Sequence, residues 1–492
     1  MSSPDVKDLG KKEQEAFEDQ RDEQTAENGG IVNRERLEKK LLRKLDARFS
    51  ILIVIYILNY IDRNNASAAK TKGLVDDLHL KGQEYSTLLS ILYVGYILMQ
   101  IPSNMMVQYT GRPSLWLPSC ILVWGALSVV MGATHNFVGG LLSRFFLGFV
   151  EAAFFPGAIL LLSNWYTKTE LGLRITLLYC GSLISNAFGP LIAYGILETM
   201  DGKLGVQAWR WLFYIEGSIT MFIAIIAIFV LPDFPKNSRG FSAEEKQLAQ
   251  QRMTEDIGVK DETKVSTFKA LTLVMTDYKL WLMALALTSM TIGLSFNQFF
   301  PQLAQSLGYA QQYSLLLCAP PFAFAAICAF FVARHSDRVG ERYLHIVLPM
   351  CIGIIGFIIA MTTKKFGPRY FSLFLMAQSY SGFVCFLAWV SGTFARPAMS
   401  RAVAIAFVNA FSQLGNISGA YIFPANWGPS YAHSYAICIS TFAFAIAGCT
   451  LHRFVLKRLN RKLEERDEAA ANGVEHNGLD ALDYPAGFRY IL

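Results

Sequence analysis

Charge is what this sequence has least of. Of its 492 residues only 17% are Asp, Glu, Lys or Arg, while 53% are hydrophobic. A soluble globular chain carries about 25% charge. The deficit is concentrated between about residues 49 and 456, where long apolar runs are separated by short polar gaps. No period-2 alternation marks these runs, which excludes a membrane β-barrel. No CxxC pair occurs among the eight cysteines (Cys120, Cys180, Cys318, Cys328, Cys351, Cys385, Cys438, Cys449). All lie in or at the ends of apolar runs, so they read as small buried hydrophobes, and no disulfide or metal site is expected. No Walker motif, ATP site or nucleophile triad appears, so neither an enzyme nor a cofactor is expected, and work must be drawn from a gradient. No cleavable signal peptide leads the chain: its first thirty residues are polar and low in apolar content. The first apolar run is therefore expected to act as its own insertion signal.

What is present is a set of twelve apolar runs, near 49–67, 85–110, 114–133, 137–165, 172–198, 211–231, 279–305, 313–334, 342–362, 370–394, 399–424 and 432–456. Each approaches the roughly 20 residues a bilayer span needs. Hydrocarbon offers no partner to a backbone N–H or C=O, so each run must be a helix. The reading is an all-α membrane protein of twelve transmembrane helices in two six-helix bundles. The expected division is a cytosolic N-terminal segment 1–48, a first bundle 49–231, a cytosolic linker 232–278, a second bundle 279–456 and a cytosolic tail 457–492. Pro232 and Pro235 end the sixth span, and SAEE (242–245) is a capping box that opens a short linker helix. The basic stretches RERLEKKLLRKLDAR, RHSDRVGER and HRFVLKRLNRK flank spans on one side of the membrane, against KKFGPR (364–369) on the other. The positive-inside rule then places both termini in the cytosol. The net charge of +6 reflects this orientation and anionic lipid, not a nucleic-acid partner.

Two six-span halves joined by a cytosolic linker is the plan of a rocker-switch transporter, with the substrate held between the halves near the midplane. Channels more often use fewer helices per chain and an oligomeric pore, so a monomeric transporter is expected. The gap after span 8, VARHSDRVGERYLH, carries Ala333, Asp337, Arg338, Gly340 and Arg342 in the pattern G/A-x-x-x-D-R-x-G-x-R. The gap after span 2 has a related Gly-Arg turn at Arg112, with Gln108 or Tyr109 where an Asp is usual. With the six-plus-six plan, these turns resemble the major facilitator superfamily. Within it, RKLDAR (43–48), LNYIDRNNASAAK (58–70), QIPSNMM (100–106), SRFFLGFVEAAFFPGAILLLSNWY (143–166) and AWRWLFYIEG (208–217) resemble the fungal allantoate permease group of anion:cation symporters. The resemblance covers roughly 40–455. It implies a conformational gate at Arg112, Asp337, Arg338 and Arg342, and small acids such as allantoate, nicotinate or pantothenate as substrates.

An ionisable side chain at membrane depth is by default a functional candidate. That filter leaves Asp62, Arg63, Arg144 and Glu151, with Glu216 as a fifth, and nothing deep in the last six spans. Arg144 and Glu151 are seven residues apart, almost two turns, and so share one face, with Gly148 between them allowing another helix to approach. Asp62 and Arg63 are neighbours and must point different ways. Two carboxylates and two guanidiniums sum to zero. A monoanion entering such a cavity leaves it at −1 until a carboxylate takes up a proton, so anion and proton favour each other's binding reciprocally. Salt bridges that merely clip spans 1 and 4 together are the bland alternative. The expectation is a proton–anion symporter in which Asp62 and Glu151 carry protons and Arg63 and Arg144 hold the substrate, roles the resemblance also implies.

The second half offers neutral polarity. Asn409, Gln413 and Asn416 share one face of span 11, and Asn297 and Gln298 lie on span 7; all five are expected substrate contacts. Tyr93 and Tyr96 on span 2 and Trp389 on span 10 are expected to line the cavity. Arg210 reads as an interfacial anchor and Glu216 as a structural partner to another helix. Two rival functions stay open: a proton-antiport exporter of a metabolite or toxin, for which GSLISNAFGPLIAYG (181–195) is a partial match, and a non-transporting nutrient receptor. The partners expected are a small organic anion, protons and the lipid bilayer, and the location is the plasma membrane.

Overall fold

The computed structural model describes residues 34–257, 272–308, 311–394, 398–471 and 487–492. Each apolar run is helical: α1 Arg34–Lys70, α2 Glu84–Thr110, α3 Pro113–Gly132, α4 in two pieces (Phe137–Glu151 and Phe154–Ser163), α5 Lys168–Thr199 and α6 Ala208–Val230. The second set is α7 (Tyr278–Leu294, a 3₁₀ stretch Ser295–Phe299, then Phe300–Gln305), α8 Gln311–Val339, α9 Tyr343–Thr362, α10 (Phe366–Ala377 and Tyr380–Thr393), α11 Ala398–Gly419 and α12 Ala432–Ala471. Among the described residues, nine helices are long and apolar enough to cross a membrane by length and composition. Side chains such as Phe222, Phe229, Phe331 and Phe454 stay exposed on the outer surface, as a lipid-facing surface requires.

Helices α4, α7 and α10 are interrupted near their middles, for identifiable reasons. Pro156 cannot donate to the carbonyl of Ala152, and α4 breaks at Ala152–Ala153. Pro301 likewise cannot donate to Asn297, within the 3₁₀ stretch of α7. In α10 no proline acts; Ser381 Oγ bonds back to the Gln378 carbonyl at 2.7 Å and Gln378 Nε2 to the Pro349 carbonyl at 2.9 Å, so side chains compete for the backbone. The breaks leave irregular backbone beside a cavity, the place where a membrane protein tolerates it.

Small residues set the closest approaches. A Cβ on Gly148 would lie 1.9 Å from the Leu92 carbonyl oxygen, so α2 and α4 touch backbone to backbone. A Cβ on Gly217 would lie 2.8 Å from the Gly125 carbonyl oxygen, which brings α3 and α6 together in the same way.

The start of α1, the linker helix Ala243–Ile257 and the C-terminal segment 487–492 lie on one face, here the linker face. Ser242 and Glu245 exchange both capping-box bonds, at 2.9 and 3.1 Å, and start the helix Ala243–Ile257 as the sequence predicts. This linker helix is tied to the first half by Lys44–Glu245 (2.8 Å), Arg252–Glu38 (2.6 Å), Arg252–Glu170 (2.5 Å) and Arg34–Glu255. On the opposite, far face, Arg210 joins Asp77 (2.7 Å) and the carbonyls of Gly132 and Thr134 (2.8 and 2.7 Å), so it is a buried clamp between α3, α6 and the α1–α2 connection. The C-terminal segment folds back on the linker face. Tyr490 and Asn460 exchange two hydrogen bonds (2.8 and 2.9 Å), and the Leu492 carbonyl accepts from Arg342 N at 2.6 Å.

Candidate functional site

Between the two halves lies a cavity of about 110 Å³, lined by α1, α2, α4, α5, α7, α10 and α11. Its charged lining is a single pair. Arg63 Nε donates to Glu151 Oε1, joining α1 to the end of the first piece of α4. Asn59 Nδ2, one helical turn before Arg63, donates to the same oxygen at 2.5 Å. Glu151 is 1% exposed and its Oε2 has no hydrogen bond. The Arg63 guanidinium sits among three phenol rings, 4.9 Å from Tyr96, 5.2 Å from Tyr60 and 6.0 Å from Tyr93. Each ring face attracts a cation, so the guanidinium is held in place from several directions.

The opposite wall is neutral. Gln298 Nε2 lies 3.5 Å from Asn416 Oδ1, Asn416 Nδ2 donates to Gln413 Oε1 at 2.9 Å, and Gln413 Nε2 donates to the Asn409 carbonyl at 3.3 Å. Asn297 Nδ2 reaches across to Asn186 Oδ1 on α5 at 3.4 Å. The 3₁₀ turn of α7 puts Asn297 and Gln298 on the cavity, and Gln298 Oε1 is buried without a hydrogen bond. One end of the cavity is aromatic: Tyr56 stacks on Phe155 (5.4 Å), Phe155 meets Tyr179 edge-on (5.5 Å) and Tyr179 lies 6.2 Å from Phe383 of the second half.

The structure thus brings together Arg63, Glu151, Tyr93, Tyr96, Asn297, Gln298, Asn409, Gln413 and Asn416. Three expected members lie elsewhere. Arg144 lines a small side chamber of about 20 Å³ shared with Arg63, Tyr93 and Gln298; it is 1% exposed, and its Nε and Nη2 have no hydrogen bond. Asp62 faces away from the cavity, because adjacent residues on a helix diverge by about 100°. Its carboxylate accepts from Trp124 Nε1 (2.6 Å) and Ser128 Oγ (3.3 Å) on α3 and from Thr220 Oγ1 (3.3 Å) on α6. The expectation that four charges share one cavity is corrected accordingly. Trp389 is also corrected: its indole donates to the Ile491 carbonyl at 3.0 Å and its ring meets His452 at 4.6 Å, so it packs under the docked C-terminal segment at the linker face.

Asn59, Asn64, Asn186, Tyr56, Tyr60, Tyr179 and Tyr380 line the cavity too, and a filter on ionisable groups could not find them. Asn59 and Asn64 bracket Arg63 in LNYIDRNN, and Asn186 is a lone amide in the apolar GSLISNAFGP; amides buried in lipid need partners, which is the signal available. Of the expected gate, Asp337 and Arg342 form an ion pair at 2.6 Å, Arg338 is exposed and Arg112 stands at the N-cap of α3. In the first half, Asp233 Oδ1 accepts from Ser114 N at 3.1 Å instead. On the far-face side of the cavity the halves are joined by Lys70 Nζ to Gln302 Oε1 (2.7 Å) and by Thr87 and Ser90 to the Tyr421 hydroxyl (3.1 and 3.2 Å).

The sequence matches the family model described as Major Facilitator Superfamily over residues 52–420. It is 32% identical to the MFS-type transporter cnsO of Penicillium expansum, over 92% of this chain and 90% of that protein. It is 28% identical to a high-affinity nicotinic acid transporter of Saccharomyces cerevisiae, over 89% of this chain and 82% of that protein. Among solved structures it resembles a bacterial homolog of the human lysosomal transporter Spinster in an inward-facing, unoccupied conformation, with a TM-score of 0.65 at 16% identity, covering 83% of this chain and 96% of that one. The chain belongs to the major facilitator superfamily: it is a multi-pass membrane transporter, not an enzyme.

Proposed function

We propose that the protein is a proton-coupled symporter that takes up a small organic anion, with both termini cytosolic and the plasma membrane as its site. The observation that carries this reading is the Arg63–Glu151 pair in the cavity wall. Fully ionised, the pair is neutral. A carboxylate that binds Arg63 must displace Glu151, which leaves a buried acid without its cation. Such an uncompensated charge costs several kcal/mol, and a proton on Glu151 removes it. The loaded cavity is then neutral again, with one anion and one proton aboard. Arg144, two turns from Glu151 on α4 with unpaired donors toward the adjoining chamber, lends the anion a second donor, its own charge being offset by Asp62 behind α1, so the count at the pair is unchanged.

The neutral wall of Asn297, Gln298, Asn409, Gln413 and Asn416 supplies hydrogen bonds that tolerate several acids, and the Tyr56, Phe155 and Tyr179 rings offer a planar substrate a stacking surface. The yeast relative named for nicotinic acid makes nicotinate the first acid to try. The Lys70–Gln302 and Tyr421 contacts close the far-face side, and uptake from that face requires them to part. The Asp337–Arg342 pair, with Arg338 and Arg112 at the two matching turns, acts on the linker face as the other gate.

Uptake of radiolabelled nicotinate and a panel of carboxylic acids, with and without a protonophore, tests this. Accumulation that collapses with the protonophore supports it. Higher accumulation in cells lacking the protein indicates export, and binding without accumulation a receptor; either overturns it.

A further inference from the structure

Behind α1, on the side away from the cavity, lies a second set of buried acids that substrate handling does not use. Glu216 on α6 is 3% exposed, and neither of its carboxyl oxygens closes a hydrogen bond. The Asn65 amide faces it without reaching hydrogen-bond geometry; that amide sits 3.5 Å from Asp62 Oδ1. Asp62 is 1% exposed. Thr220, one turn from Glu216 on the same face of α6, touches the Asp62 carboxylate, so the two acids occupy one seam between α1, α3 and α6 and act on each other electrostatically. The Gly125–Gly217 backbone contact closes that seam on the α3 side.

The charged groups around it can be counted. From α1 the neighbour is Arg63, already committed to Glu151 on the cavity side. The residues of α3 that reach Asp62 are Trp124 and Ser128, both neutral. On α6, Arg210 is taken by Asp77 at the far face. On α5, Arg174 pairs with Asp46 and Glu198 with Lys72, both at helix ends. On α4, Glu151 adds negative charge, and Arg144, which has no carboxylate within ion-pair distance, is the cation that acts on Asp62. Asp62, Glu216 and Arg144, all ionised, sum to −1 in a site without water access, and an unpaired buried charge is not tolerated there.

We propose that Asp62 and Glu216 together hold one resident proton, in a site separate from the anion cavity and fixed within the first half of the molecule. Because α1, α3 and α6 belong to one bundle, rocking of the two halves leaves this site intact. The proton therefore stays through the transport cycle while the proton on Glu151 is exchanged. It makes the packing of α1 on α3 and α6 sensitive to alkali, independently of which substrate is carried.

Infrared spectroscopy of the purified protein at neutral pH, without substrate, reads this directly through the C=O stretch of a protonated carboxylic acid. The expected spectrum has such a band, shifted by exchange into heavy water, which loses the intensity of one carboxyl in Glu216→Gln and persists in Glu151→Gln. Glu216→Gln should also keep its melting temperature as the pH is raised into the alkaline range, where the wild type loses stability. Asp62→Asn serves as the partner variant; should it fail to fold, the Glu216→Gln pair of measurements stands alone. A wild-type spectrum without the band, or a band unchanged in Glu216→Gln, overturns the proposal. The experiment needs no substrate, so it succeeds or fails apart from the symport reading.

Discussion

The two halves share a helical plan but divide the chemistry. The first half holds every buried or half-buried acid and guanidinium at cavity level among the described residues: Asp62, Arg63, Arg144, Glu151 and Glu216. The second half faces the same cavity with amides, hydroxyls and rings. Putting charge in one half has a physical consequence. When the halves rock, distances within a half are kept and distances between halves change. On the proposed symport, the Arg63–Glu151 pair is therefore re-weighted by the anion and the proton, not by the rocking motion itself. The neutral half can change its distance to the substrate without stranding a charge in a medium where that is costly.

This contrast can be broken or sharpened at named positions. The largest effect is expected at Arg63. Arg63→Gln removes the charged partner of the anion and leaves Glu151 unpaired, so affinity for a carboxylate should fall by about 2–5 kcal/mol, roughly 30-fold to several-thousand-fold. Binding measured by calorimetry with an acid and its amide should no longer distinguish the two. Glu151→Gln should behave differently: counterflow exchange of labelled acid persists, while accumulation driven by a pH gradient is lost. Retention of that accumulation would move proton exchange to another group.

A stability contrast follows from packing. Gly148→Ala would place a methyl 1.9 Å from the Leu92 carbonyl oxygen in the first half, whereas Gly382→Ala in α10 would meet the Ile346 carbonyl oxygen at 2.9 Å. Overpacking costs about 1–3 kcal/mol, and Gly148→Ala should give the larger drop in melting temperature by fluorescence-based thermal unfolding. The mildest functional change is expected across the neutral wall. Gln298→Ala removes one amide contact worth about 0.6 kcal/mol on average, so affinity should change by roughly 3-fold.

The linker helix gives a pH prediction outside the membrane. The hydrogen bond from Arg34 holds the Glu255 carboxyl below the usual carboxylate range. A carboxyl lowered in the folded state stabilises docking above its unfolded value and loses that effect as pH falls through the folded one. The protection of 243–257 against hydrogen–deuterium exchange, corrected for the intrinsic pH dependence of amide exchange, should therefore hold from neutral down to about pH 4 and fall only below it.

The helices were legible because lipid allows no other backbone, and the capping box Ser242–Glu245 because its spacing is specific. The breaks in α4 and α7 fall at Pro156 and Pro301, but Pro102, Pro118, Pro190, Pro320, Pro321 and Pro349 lie inside helices that continue, so proline alone did not mark them. The break in α10 has no proline at all: Ser381 Oγ bonds back to the Gln378 carbonyl and Gln378 Nε2 to the Leu375 carbonyl. Arg63 and Glu151 stood out as charges in apolar surroundings. Which way Asp62 points was not legible: a helical neighbour must diverge from Arg63, but only the positions of Trp124, Ser128 and Thr220 decide where it goes. Trp389 misled because apolar composition is the same at the cavity and at the linker face. It lies nine residues beyond Tyr380, about 14 Å further along α10, under a C-terminal segment whose docking the sequence does not announce.

The central claim is that the cavity accepts an anion only together with a proton. The most direct test is the pH change when nicotinate, or another acid found to bind, is added to purified protein in weakly buffered solution. The account predicts uptake of about one proton per anion bound by the wild type, and none by Glu151→Gln at matched occupancy. Binding without proton uptake in the wild type, or the same uptake in Glu151→Gln, would contradict it.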